Sequence, residues 1–282
     1  MSKWLRLSLV LFAVLTVGLS CQNLVEKDKA AVRALVEGDT TYFKGGTASG
    51  QDTTDGYSLL DDTTMGLWWR SPQTHDSVPV IDVGVEGDSA WVSWHQHNYG
   101  GIIHWIKTSD TTAEKWTKPL VEKVQLNAIF RREGDQAEVS RGWKLQKISL
   151  VDGTSDTVNT VTIDSLKIRS SLRDITIHDP LNTYYFTDSL VTFTPAEQLT
   201  LTLYTNATEG YAWLHAFWGI FFVRLPFEDM GNGVYQGTWN AQLWPGFRFA
   251  IFDLMTRNTL MDKTAPYDFK GWLFPYLIKN AD

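Results

Sequence analysis

From Val78 to Val151 apolar and polar residues alternate with the two-residue period of half-buried strands. The pattern predicts strands over 78–86, 90–98, 102–108, 118–132 and 138–151. Gly-Asp, Gly-Gly, Lys/Thr-rich and Glu-Gly-Asp turn signals separate them. The fourth run is the clearest. Leu120, Val124, Leu126, Ala128 and Phe130 alternate with Lys123, Gln125, Asn127 and Arg131, as in a sheet wet on one face. Ahead of these strands the period changes: Val32, Leu35, Val36, Tyr42 and Phe43 recur near 3.6 residues. Asn23 with Glu26 reads as a capping box and Gly45-Gly46 as a stop, so one helix is predicted there. Residues 57–69 fit neither period. Past a polar run at Asp152–Thr157, short alternating runs recur about every ten residues, at 174–178, 190–194, 199–204, 211–225, 234–240 and 248–254, with Gly231-Asn232-Gly233 as a hairpin turn. The polar run marks the expected boundary between a domain at 22–152 and a second at 158–282. The expected fold class is α+β: a helix on a long curved antiparallel sheet, followed by an all-β sandwich.

Residues 1–21 carry a different signal. Lys3 and Arg6 precede an apolar run, Leu7–Val17, too short to span a bilayer, which needs roughly twenty residues. The run ends in Gly18-Leu19-Ser20-Cys21, which resembles the lipobox of bacterial lipoproteins, with Gly18 where that family prefers Leu. An ordinary cleaved signal peptide with a chance cysteine is the alternative, and Cys21 being the single cysteine weighs against it. The resemblance implies that Cys21 is the acylated first residue and the membrane its partner. Two or three acyl chains anchor stably where one does not. Gln22, where inner-membrane lipoproteins usually carry Asp, implies the outer membrane, facing the periplasm or the cell surface. Losing Lys3 and Arg6 takes the net charge from −7 to −9.

That acidic balance argues against nucleic acid as a partner. With 43% hydrophobic and 20% charged residues the chain is globular, and one cysteine excludes a disulfide framework. Helix, then curved sheet, closing on Ala128-Ile129-Phe130 and Gly142-Trp143 with alternating apolar residues to Ser149, resembles the nuclear-transport-factor-2-like (SnoaL-like) superfamily. Gly231-Asn232-Gly233-Val234-Tyr235 through Gly237-Thr238-Trp239 is similar to the late strands of bacterial immunoglobulin-like modules. Catalytic members of the first superfamily use an Asp, His or Tyr inside the cone. None of their motifs matches residue by residue, so no catalytic residue is assigned.

The candidate pocket comprises Trp91, Ser93, His95, His97 and His104. His95 and His97 share a strand face. A two-residue hairpin loop within Tyr99-Gly100-Gly101 puts His104 on that face too, with directly opposed Cβ atoms about 5 Å apart; a three-residue loop puts it on the other. Three imidazoles could hold zinc or line a pocket for an organic ligand, and a half-buried hairpin with amphipathic histidines gives the same pattern. No carboxylate in the sequence nearby orients the rings, so neither a metal nor a cofactor is assigned. The 13 tryptophans fit cores and interfaces, or a glycan-stacking platform. Asp253, Asp262 and Asp268 lack calcium-loop spacing and read as turn residues. The expectation is a lipid-anchored envelope protein acting as a binding or assembly module. The alternatives are a carrier or enzyme using the first domain's pocket, and a glycan-binding surface lipoprotein; the partner is a small molecule, a glycan or an envelope protein.

Overall fold

The computed structural model describes residues 24–43, 66–107, 112–218 and 221–280. The signal segment with Cys21, the Gly45-Gly46 stop and residues 57–65 lie outside the described residues. Helix α1 spans 24–38. The first half then forms β1 (Gly66–Arg70), β2 (Thr74–His75), β3 (Val80–Glu86), β4 (Ser89–Lys107), β5 (Ala113–Arg132) and β6 (Trp143–Ser155). The second half forms β7 (Ile163–Arg169), β8 (Asp174–Ile177), β9 (Tyr184–Phe186), β10 (Thr192–Phe193), β11 (Gln198–Thr205), β12 (Gly210–Trp218), β13 (Phe221–Pro226), β14 (Glu228–Asp229), β15 (Val234–Asn240), β16 (Gly246–Thr256), α2 (Arg257–Met261) and β17 (Phe269–Ile278).

The α+β expectation is overturned. Of the described residues 58% are strand and 9% helix, with one curled sheet and a second, smaller one. The large sheet runs β1-β4-β5-β6-β17-β16-β12-β13, and the small one runs β14-β15-β11-β7-β8. The polar run expected to link two domains is largely inside β6, where Val151–Thr154 pair with Lys270–Leu273 of β17. Its polar residues serve the ladder. Asp152 is ion-paired with Lys270 at 2.7 Å, and Ser155 is buried, accepting from Phe269 N at 2.9 Å.

Two apolar cores flank β12, β16 and β17. Trp213, Ile251, Met255, Phe269 and Leu273 join Val92, Leu126 and Phe130 in the first. Their alternates Ala212, Leu214, Phe252, Leu254, Trp272 and Phe274 join Leu199, Leu201 and Leu203 of the small sheet in the second. A strand buried on both faces needs an unbroken apolar run, which is what Ala212–Ala216 and Ala250–Met255 supply apart from His215 and Asp253.

The largest local departure is at Tyr99-Gly100-Gly101. No hairpin forms there, and β4 runs unbroken for 19 residues. Gly100 and Gly101 pair with Leu120 and Pro119. They serve close approach: a Cβ on Gly101 would lie 2.9 Å from Thr117 Cγ2, and one on Gly100 would lie 3.1 Å from Gln73 Cγ. The chain between β1 and β2 crosses here, with Ser71 N donating to Gly101 O and Gly101 N to Ser71 Oγ.

Helix α1 ends at Gly38, earlier than its apolar pattern. Asp39 Oδ1 accepts the amides of Thr41, Tyr42 and Phe43, which turns the chain while leaving Phe43 in the core. The other end of the helix is fixed by buried Asp28, which accepts from Arg132, Arg141 Nε at 2.8 Å and Trp143 Nε1 at 3.2 Å. Burial alone would raise the Asp28 pKa, but these bonds outweigh it and hold the carboxyl below its usual range.

Candidate functional site

Because β4 is one strand, odd-numbered residues face outward and even-numbered ones inward. His95 and His97 therefore lie on the outer face, while fully buried His104 lies on the inner face. The three imidazoles do not meet. Trp91 is 51% exposed and lies over Gly84, its partner on β3.

Ser93 and His95 do come together, with Oγ 3.0 Å from Nε2. Ser93 has one proton and donates it to Asn127 Oδ1 at 3.0 Å; Asn127 Nδ2 is committed to Leu181 O. Ser93 Oγ is thus the acceptor from His95 Nε2–H and from Gln125 Nε2. The basic nitrogen of His95 is Nδ1, on the far side of the ring, so this imidazole is not placed to take the Ser93 proton. Burial, then Lys123, lowers the His95 pKa, which keeps the ring neutral. His97 is held separately: Nδ1 lies 3.1 Å from Asp76 Oδ2, and Tyr99 donates to the other Asp76 oxygen.

The inner face carries polar groups that strand alternation could have exposed. Gln96, Asn98 and His104 on β4, and Lys118 and Glu122 on β5, sit in the register of Trp94, Val124 and Leu126. Tyr267 donates to Glu122 at 2.6 Å. Where the curl brings the first strand to the far end of the sheet, Arg70 Nη1 meets Asp253 Oδ2 at 2.7 Å, and His215 Nε2 meets the same oxygen at 2.9 Å. Asp253, read from sequence as a turn residue, is a buried counter-ion. Desolvation raises its pKa, and Arg70 with His215 more than offsets that. Lys118 donates to the carbonyls of Asn258, Thr259 and Asp262, closing the carboxyl end of α2.

A concave site opens elsewhere, where the edges of the two sheets meet. A cleft of about 390 Å³ is lined by Thr208, Glu209, Tyr211, Phe227, Asp229 and Arg257, with Trp213 and Tyr235 behind. That volume falls in the range of roughly 300–1,000 Å³ that holds small organic molecules. The walls are fixed in advance. The Tyr211 ring stacks on buried Trp213 (5.8 Å, 26°), and Trp213 meets Trp68 edge-on at 4.9 Å. Tyr235 Oη donates to Ala207 O at 3.1 Å, and Arg257 N donates to Glu209 O, which together hold the rim loop 207–209. Gly210 is required in this corner, since a Cβ there would lie 2.9 Å from Met255 O and 3.2 Å from Tyr235 Oη. Burial, then the Asp229 charge, pushes the Tyr235 phenol up to about 12, so it remains a hydrogen-bond donor. The exposed side chains of Glu209 and Arg257 have no ion-pair partner among the described residues.

No family model matches the chain, and no curated protein does. Among solved structures, pullulanase from Bacillus acidopullulyticus matches at 8% identity and a TM-score of 0.17, over 63% of this chain and 24% of that one. The chain spans about a quarter of that enzyme's length, and a likeness of this size carries no argument.

The cleft was not among the sequence-derived candidates. Its lining comes from five separate segments whose approach depends on the two sheets meeting. The one local signal was Gly210-Tyr211-Ala212-Trp213, which places two aromatics on one face but does not say that Tyr211 is partly open.

Proposed function

We propose that this chain is a binding protein of the bacterial envelope, lipid-anchored at Cys21, that takes a small organic ligand in the cleft between its two sheets. The observation that carries the reading is the cleft itself: rigid aromatic walls beside a carboxylate and a guanidinium that have no ion-pair partner among the described residues. Unpaired charged groups converging on a preformed concavity favour binding of a third party. The lipobox-like Gly18–Cys21 supports the anchor and the address.

Amide NMR of the protein with small-molecule probes of neutral, cationic and anionic type tests the reading. The amides of Gly210, Tyr211, Phe227 and Arg257 are expected to shift together with at least one class. If every class leaves those amides unmoved, the cleft is not a binding site.

A further inference from the structure

We infer that the ligand class of this cleft is a neutral saccharide. The inference rests on the binding reading above and names what that site selects. A pyranose presents a flat face of C–H groups with hydroxyls around its edge. A matching site needs a rigid aromatic face together with donors and acceptors at the rim. The Tyr211 ring, backed by Trp213 and Trp68, is such a face, and half-buried Phe227 also lines the cleft. Glu209 and Asp229 supply acceptors, Thr208 both functions, and Arg257 several donors in a planar fork.

The other ligand classes meet a specific obstacle. An anion faces two carboxylates against one guanidinium. An organic cation would find aromatic walls and carboxylates, but Arg257 stands on the same rim. A wholly apolar ligand would strip water from the rim charges and return no hydrogen bond to any of them. A polyol with an apolar face pairs all of them. The exposed tryptophans do not offer a better platform. Trp91 and Trp105 lie fourteen residues apart on β4, roughly 46 Å at 3.3 Å per residue, and Trp244 lies on the loop before β16.

The test is saturation-transfer NMR and titration on the full chain, with cellotriose, chitotriose and maltotriose as neutral probes, choline as the cation and glucuronate as the anion. The expected result is transfer to the ring C–H protons of at least one trisaccharide. Binding should barely change with added salt, and affinity should fall at least tenfold in both Glu209→Ala and Arg257→Ala. Both side chains are exposed and have no ion-pair partner among the described residues, so neither variant threatens the fold. If choline or glucuronate shifts the cleft amides and no trisaccharide does, the saccharide assignment is wrong while the cleft remains a binding site. If no probe shifts them, both readings fall. Trisaccharide binding that survives both substitutions places the sugar elsewhere and overturns the inference.

Discussion

His104 offers the sharpest test of how the inner face is built. It is fully buried, stacked on Trp116 with ring centroids 3.6 Å apart, and two residues of β5 further on lies the Lys118 ammonium. Burial first, and Lys118 second, lower its pKa to about 3. In the unfolded chain the imidazole titrates near 6.5. Between those values the unfolded state holds a proton that the folded state refuses, so stability must fall as the pH falls. The slope is roughly 1.4 kcal/mol per pH unit, from just below pH 6.5 to about 3, a few kcal/mol in all. Above pH 7 both states are neutral at this site and the contribution is flat. Asp28 and Asp253 have lowered folded pKa values, so they also lose stability in acid, but only below about pH 4 where the unfolded carboxyls begin to protonate. His95, whose folded pKa is lowered too, adds a slope of the same sign. His104→Phe keeps the ring stack and removes the titration, leaving the other groups in place. Urea denaturation of both proteins from pH 7.5 to 4.5 isolates His104 as the difference between the two curves. The difference should be level above pH 7 and then move against the wild type by roughly 1.4 kcal/mol per unit below pH 6. Parallel curves would show that His104 accepts a proton in the folded protein and that its burial has been misjudged.

Four further outcomes are expected. Asp253→Ala removes the buried carboxylate that Arg70 Nη1 and His215 Nε2 both meet and should cost roughly 3–5 kcal/mol in denaturant titration, whereas the double change Arg70→Met with Asp253→Leu should recover part of it. Asn98→Leu should raise stability by roughly 1–2 kcal/mol, because the Asn98 amide is 1% exposed and neither of its polar atoms has a hydrogen-bond partner among the described residues; a loss would mean that the amide is satisfied in solution. Calorimetry should give one cooperative transition, and protease should spare residues 152–155, since that segment is paired on both edges of β6; two transitions would show the halves to be separable. Cys21→Ser should move the protein from the detergent phase to the aqueous phase, and a protein that stays with detergent is not anchored through that residue.

Where alternation was regular, strand identity was legible. The run Leu120–Phe130 gave β5, its wet face and its inner face, because its apolar residues all fall on one side. Legibility failed where a residue did a second job. Gly100-Gly101 has the composition of a turn, yet glycine also serves a strand that another segment crosses closely, and periodicity cannot separate the two uses. That ambiguity moved His104 from the face of His95 and His97 to the opposite one and dissolved the candidate pocket. The inner polar residues were readable in principle. Glu122 interrupts Leu120-Val124-Leu126, and Asp253 interrupts Ile251–Met255, each in a register that buries its neighbours. A charge in such a register predicts a buried partner, although it does not name which of the distant cations supplies it.

The domain boundary was misplaced for a related reason. A polar stretch reads as a linker when polar residues are assumed to face water, but Asp152 and Ser155 spend their polarity on Lys270 and on the backbone of the last strand. What joins the halves is the wall of β12, β16 and β17, whose two faces belong to different cores. Its sequence announced burial on both sides without saying that the two sides were separate cores. The cleft follows from the same construction. The chain leaves the large sheet at Pro226, the end of β13, and enters the small sheet at Glu228, and Phe227, with its amide bonded to Ala212 O, is the single residue between them. Two layers that part this abruptly leave a gap at their margin, and the gap is lined by whatever the connecting segments carry. Here those segments carry Glu209, Asp229 and Arg257 rather than the apolar residues that would have closed it.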